Sequence, residues 1–185
     1  MEIRLAHTQR DLEGILNLQR LNLPAALSSE ELAQQGFVTV QHDLPLLQRM
    51  HAAAPSVVAV DDAGEVVSYC LAMLPAFRDD VPVLRPMFQL LDGLSFQNER
   101  LGDTTYLVCG QVCVGKPVRG QGAFDRMYAH LQAQYQLQFR YMVTEIAARN
   151  ARSLRAHARV GFVPFHRYTA PDGEVWDIVG WDWLT

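Results

Sequence analysis

Val112 to Leu131 read VCVGKPVRGQGAFDRMYAHL, and the character of the chain changes in the middle of that stretch. It opens as an apolar strand and closes as an amphipathic helix, with Phe124, Met127, Tyr128 and Leu131 on one face. Between them lies Arg119-Gly120-Gln121-Gly122-Ala123. A helix that starts straight from such a turn leaves its first four backbone N–H groups without helical partners. Glycine removes the Cβ that would hold a bulky anion off the backbone. The helix dipole adds partial positive charge at that end. The turn therefore has the build of a phosphate cradle. It equally has the build of a tight strand-to-helix connection, and alone it does not choose between them. The GKS or GKT of a P-loop is missing, and so is the third glycine of GxGxxG.

Working outward, the hydrophobic period alternates along the whole chain. EIRLA is a short strand, and Thr8 with Asp11 three residues on is a capping box for a helix carrying Leu12, Ile15, Leu16 and Leu23. A second short helix is expected in SSEELAQQ from Ser28, and a third from Asp43 with Leu44, Leu47 and Met50. Ser56 to Leu74 reads as a hairpin around Asp62-Ala63-Gly64. Phe77 to Gly102, with Pro82 and Pro86, reads as an irregular, broken helical segment. TYLVCGQVCVG is a strand, Ala123 to Gln138 a helix, YMVTEIA a strand, and Asn150 to Val160 a helix stopped by Gly161. FVPFHRY and EVWDIVGWDWL are two last strands around Pro171-Asp172-Gly173. This order is that of an α/β chain with a mixed sheet.

Composition sets the outer bounds. At 185 residues the chain is expected to form one domain over 1–185. A chain of that length buries roughly 70% of its unfolded surface and folds without a metal or a disulfide. A formal net charge of -4, with no run of Lys and Arg, argues against nucleic acid as the main partner. The three cysteines, Cys70, Cys109 and Cys113, sit in apolar surroundings without a CxxC pair and read as buried thiols of a reducing compartment. No apolar run approaches the roughly 20 residues that span a bilayer. The start MEIRLAHTQRDLEG has no apolar signal core. The expectation is a soluble, cytoplasmic protein with no membrane partner.

A second constellation follows one strand later, in TEIAARNARSLRAHARVGF. The glycine turn and its helix, then a strand ending in TEIAARN, then NxxSxxAHxxxGF, resemble the GNAT superfamily of acetyl-CoA-dependent N-acetyltransferases. The resemblance is carried by Tyr106 to Phe162, and the T-x-x-D-L opening is similar to the family's first helix. It implies a mixed, mostly antiparallel sheet, splayed in the middle and flanked by helices, and acetyl-CoA as co-substrate with no metal. The family's Arg/Gln-x-x-Gly-x-Gly/Ala motif falls on Arg119, Gly120, Gln121, Gly122, Ala123 and Phe124, with Phe124 departing from the pattern. These residues would hold the coenzyme A pyrophosphate. Val112, Cys113 and Val114 match the strand whose backbone pairs with pantetheine, and Asn150 would add a cofactor contact. The strand around Val112–Val114 is expected to neighbour the strand around Met142–Ile146 and to part from it towards their C-terminal ends.

Moving an acetyl group to an amine requires a base, because an alkylammonium with a pKa near 10.4 is almost wholly protonated at neutral pH. The departing thiolate gains from an acid. TEIAARN is similar to the LEVRxxN of the GNAT enzymes that acetylate ribosomal-protein N-termini, and that match makes Glu145 the base candidate. The alternative is an ordinary strand-end glutamate. His157 stands seven residues after Asn150, where most of the family has a tyrosine acid beside the sulfur. Histidine has the pKa for proton transfer, and it equally suits packing on a helix face. Tyr106 and Tyr168 are alternative donors. Cys109 and Cys113 lack a histidine nearby in sequence for an acyl-cysteine route, and His51, His130, His157 and His166 show no ligand spacing within one element. The expected acceptor is a small-molecule amine or a peptide N-terminus, and a second copy of the chain, in a homodimer, is the other partner considered. A non-catalytic acyl-CoA-binding or sensing module of the same fold is the alternative function.

Overall fold

The computed structural model describes residues 1–28, 30 and 37–184. In chain order the elements are β1 (Glu2–Leu5), α1 (Gln9–Asn22), α2 (Leu44–Ala53), β2 (Val57–Val60), β3 (Val66–Met73), α3 (Arg85–Leu91), β4 (Ser95–Phe96), β5 (Glu99–Arg100), β6 (Tyr106–Val114), α4 (Ala123–Tyr135), β7 (Tyr141–Ala147), α5 (Ala151–Val160), β8 (Val163–Thr169) and β9 (Val175–Asp182). The helix expected from Ser28 falls on residues 29 and 31–36, outside the described residues. The seven longer strands form one sheet in the order β1-β2-β3-β6-β7-β9-β8. Pairs β1–β2, β2–β3, β7–β9 and β9–β8 are antiparallel, and β6–β7 is parallel. The architecture is thus the expected α/β chain with a mixed, mostly antiparallel sheet. The chain divides into two units, Met1–Met73 with Cys109–Gln134, and Leu74–Val108 with Tyr135–Thr185.

In the first unit, α1 starts on the capping box foreseen from Thr8 and Asp11. The Asp11 amide donates to Thr8 Oγ1 (3.1 Å), and the Thr8 amide donates to Asp11 Oδ2 (3.0 Å). Asp11 also accepts from the His7 amide and from both Arg4 terminal nitrogens, at 2.8 and 2.9 Å. Helix α1 packs on β3. Gly14 makes that approach close: a Cβ there would lie 2.8 Å from the Val66 side chain. Ile15, Leu47, Met50, Val57, Val58, Tyr69 and Leu71 are all buried in this unit.

Asp11 is 2% exposed, so its protonation state bears on stability. Burial pushes its carboxyl up, but Arg4 and the amides of His7 and Thr8 outweigh burial and hold it well below its ordinary 3.8. A depressed folded pKa gives stability that is complete above the unfolded value and lost as pH falls below it. Asp11→Ala is therefore expected to cost about 3 kcal/mol at pH 7, as breaking a buried pair does. The gap to the parent should narrow as pH falls below 4, measured by urea unfolding at both pH values.

In the second unit, β7, β9 and β8 form an antiparallel ladder, with Glu145 opposite Ile178 and His166 opposite Ile178 from the other side. The start of β6 pairs with β7 over Tyr106↔Tyr141, Leu107↔Met142 and Val108↔Val143, while Thr144 to Ala147 are in register with β9. Helix α5 is capped by Asn150, whose Oδ1 accepts from the Ser153 amide (3.2 Å), and ends at Gly161 in the left-handed region. Helix α4, expected to reach Gln138, stops at Tyr135, whose carbonyl takes the amides of both Gln138 and Phe139.

The segment read as broken helix is only partly so. Helix α3 is there, but a hairpin, β4–β5, follows it, turning through Gln97 and Asn98 at φ of 51° and 66°. Two successive left-handed residues make a type I′ turn, which usually carries glycine. The hairpin delivers Phe96 onto Phe165 and Tyr141, with ring centroids 4.8 and 5.3 Å away. No described helix is long and apolar enough to cross a membrane.

Candidate functional site

The glycine turn lies in the first unit. Gly120 and Gly122 have φ of 77° and 75°, a region open to glycine and strained for other residues. A Cβ at either would meet nothing within 4 Å, so the turn presents bare backbone to its surroundings. The Gly122 carbonyl accepts from the Arg126 amide (3.1 Å), which makes Gly122 the entry to α4. Gln121 is folded back, its amide donating to Val118 and its side chain to the Pro117 carbonyl. The amides of Gly120, Gly122 and Ala123 have no partner among the described residues. Donors at a helix N-terminus, in reach of bulk and without side chains in the way, are what a phosphate needs.

Arg119 is tied into the fold through two of its nitrogens. Its Nε donates to the Val114 carbonyl and its Nη2 to Asn22 Oδ1, both at 3.1 Å. It braces the turn against the end of β6 and the end of α1. Phe124, the departure from the motif, lays its ring on Tyr128 with centroids 4.9 Å apart, so its bulk is taken up along the helix and not in the turn.

Along β6 the burial alternates. Cys109, Gln111 and Cys113 are buried, and Gly110, Val112 and Val114 are half-buried. Burial pushes the Cys113 thiol up to about 12, although the Arg119 charge works against it. Cys109 lies 3.7 Å from Cys70, Sγ to Sγ, and accepts from the Tyr128 hydroxyl. These are core thiols.

Glu145, Asn150 and His157 lie in the second unit. Glu145 accepts a hydrogen bond at Oε2 from the Tyr168 hydroxyl of β8 (2.5 Å), reaching across β9. Burial raises its carboxyl from 4.5 to about 7, against the opposing pull of that bond. A carboxylate poised near neutrality is suited to general base work.

His157 is 2% exposed and packs edge-on against Phe162. Its Nδ1 lies 2.8 Å from the Ser153 carbonyl oxygen. A carbonyl only accepts, so the neutral ring carries its proton on Nδ1 and has an acceptor at Nε2. Burial lowers its pKa to about 4, with the Ser153 carbonyl pulling the other way, so the ring is neutral near pH 7. In that state Nε2 has no proton to give a thiolate. The expectation of His157 as the acid does not fit this tautomer.

No family model matches the chain, and no curated protein matches it in sequence. Solved structures do. A GNAT phosphinothricin acetyltransferase from Sinorhizobium meliloti, in complex with AcCoA, is similar with a TM-score of 0.63 at 18% identity, over 98% of this chain and 87% of that one. The ribosomal-protein-alanine N-acetyltransferase from Brucella melitensis has a TM-score of 0.63 at 18% identity, over 98% and 99%. A chain of the NatC complex bound to Gag peptide and CoA has a TM-score of 0.64 at 13% identity, over 98% and 99%. The chain has the GNAT fold.

Within the GNAT fold, the residues that sequence reading singled out fall in two groups. Val112–Val114 and Arg119–Phe124 belong to the first unit, and Glu145, Asn150 and His157 to the second. The sequence offers Tyr168 only as an alternative donor, and the structure adds its bond to Glu145. No local signal points to it: the two residues are 23 apart, and β9, the last strand in sequence, sits between their strands. Among the described residues no group of three or more His, Cys, Asp and Glu side chains is arranged to hold a metal ion.

Proposed function

We propose that this chain is an N-acetyltransferase that moves an acetyl group from acetyl-CoA to a primary amine by direct transfer. The observation that carries the reading is the bare turn at Gly120–Ala123, with unpartnered amides at the entry to α4. Its fit to an anion is good, because two glycines leave the approach clear and the helix dipole favours negative charge. In this reading the amides of the Gly120–Phe124 stretch hold the pyrophosphate, and the backbone of Val112, Cys113 and Val114 runs beside the pantetheine arm. Arg119 keeps the turn in shape, and Asn150 adds a contact from the start of α5. Acetyl-CoA supplies the activated thioester when bound.

Glu145 is the proposed base. Oε2 is occupied by Tyr168, and Oε1 has no partner among the described residues, so Oε1 takes the amine proton. The acceptor is a small-molecule amine or a peptide N-terminus. Similarity to a ribosomal-protein-alanine N-acetyltransferase and to a peptide-bound NatC complex supports the second.

The Nε2 acceptor state of His157 favours a second reading, a non-catalytic acyl-CoA-binding module of the same fold, since the usual acid is missing. One experiment separates the two. Coenzyme A is titrated in a thermal-shift assay, and free thiol release from acetyl-CoA is followed with a panel of amines and N-terminal peptides. Binding with turnover is the expected result. Binding without turnover on any acceptor supports the module, and no binding overturns both.

A further inference from the structure

We propose that Tyr168 is a positioning residue for Glu145, its hydroxyl holding the carboxylate ionised and in one orientation so that Oε1 alone meets the incoming amine. The inference deepens the acetyltransferase reading and rests on it. Glu145 stands on β7 and Tyr168 on β8, and β9 lies between them. Register puts both on one face of the sheet: Glu145 is opposite Ile178, Ile178 opposite His166, and Tyr168 two residues beyond His166. The phenol therefore arches over β9 to reach Oε2 at 2.5 Å.

Few other groups compete on that face. Register places Tyr141 of β7, His166 of β8, Asp182 of β9 and Tyr106 of β6 there with them, but Asp182 and Tyr106 stand opposite Tyr141, four residues along β7 from Glu145, where Asp182 lies 3.6 Å from Arg140 and Tyr141 donates to Glu99. Asp177 of β9 and Arg167 of β8 are opposite Ile146 and each other, on the other face, where they are paired at 2.7 and 2.8 Å. Arg149, beyond the end of β7, is paired with Glu174 (2.8 Å). Tyr168 is thus the group that hydrogen-bonds Glu145 and works against burial on its charge state. A phenol O–H can only donate to a carboxylate, so it stabilises the ionised form and leaves the protonated form to the buried surroundings. The protons balance when the ammonium gives one to Oε1, the nitrogen then attacks the thioester carbon, and as the C–S bond breaks the departing coenzyme A thiolate takes the second proton from that nitrogen; Tyr168 keeps its own throughout.

Without the phenol, burial acts on Glu145 unopposed, and its pKa rises above the parent's. Tyr168→Phe should then move the acid limb of the kcat/KM profile upward, by about one unit, because a hydrogen bond to a charged group is worth about that much. The reading is about a tenfold loss of rate on the acid limb, with the high-pH plateau within about twofold. A purely structural role would lower the whole profile and not move it.

The test combines that profile with carbon NMR titration of the Glu145 carboxyl in protein labelled at glutamate, which needs no turnover. A second variant carries 3-fluorotyrosine at position 168. Its more acidic phenol is a stronger donor, so the Glu145 midpoint should fall where Tyr168→Phe raises it. This variant decides the matter if the phenylalanine form fails to fold. Midpoints equal to the parent's in the folded variants overturn the coupling, whatever the activity. Opposite shifts in a protein that acetylates no amine support the coupling and overturn the acetyltransferase reading. Shifts in midpoint without a matching move of the acid limb overturn Glu145 as the base.

Discussion

Gly122→Val is expected to abolish coenzyme A binding and leave the protein folded. Position 122 has a φ of 75°, where a side chain costs about 1–2 kcal/mol in backbone strain. Nothing lies within 4 Å of the new Cβ, so no packing clash adds to it. A domain stable by about 5–15 kcal/mol tolerates that loss. The isopropyl group, however, stands over the amides of Gly122 and Ala123, and an anion can no longer reach them. Two or three hydrogen bonds to a charged phosphate, each worth about 1.5–3 kcal/mol, are lost together. Affinity should drop at least about 100-fold by isothermal titration. Gly64→Val is the matched control: Gly64 has a φ of 77° with nothing within 4 Å, but it belongs to the β2–β3 turn. It should carry the same thermal destabilisation and bind coenzyme A as the parent does. Equal affinity of the Gly122 and Gly64 variants would remove the turn from the cofactor site.

The glycine turn is legible in the sequence because everything it needs is local. Strand, bare glycines and helix follow one another within twenty residues, and each leaves its own mark on the sequence. The same holds for the Thr8–Asp11 box and for Gly161 after α5. Long-range partners leave no such mark. The Gln97-Asn98 turn forms without a glycine, so β4 and β5 were hidden in a segment with two prolines. The contacts of Arg119 with Val114 and Asn22 are of the same kind, since the second comes from a helix end 97 residues back. His157 had the right position for an acid, but position does not report a tautomer. The Ser153 carbonyl four residues earlier decides where the proton sits. Glu145 was legible as a candidate from the resemblance of TEIAARN to the LEVRxxN of the GNAT enzymes that acetylate ribosomal-protein N-termini. Its poise near neutrality was not, since that comes from depth within the β7–β9–β8 ladder and from a tyrosine on the strand beyond.

Glu145→Gln should lose activity and gain stability, and the pairing of the two effects is what identifies the residue. A general base contributes about 10²–10⁴-fold, so turnover should fall by that factor at pH 8, where the parent's carboxylate is ionised. The loss should shrink below pH 6, because the parent is then protonated as well and the rise of its rate through about pH 7 belongs to Glu145. Stability runs the other way. The folded pKa of about 7 exceeds the ordinary 4.5, so the folded state binds a proton that the unfolded chain releases. Stability from such a group is complete below the unfolded value and is lost as pH rises through the folded one. At pH 8 the ionised, buried carboxylate therefore costs the parent on the order of 2–3 kcal/mol. Glutamine keeps the shape and the bond from Tyr168, and it has no charge to bury. The variant should unfold at higher temperature than the parent at pH 8, with the difference gone by about pH 4.5. A catalytic carboxylate held at a cost in stability gives both signs, and an ordinary strand-end glutamate gives neither. Parent-like turnover in a variant with the higher melting temperature would mean that the proton is taken elsewhere, while a variant unchanged in both would mean that Glu145 is solvated and carries no role.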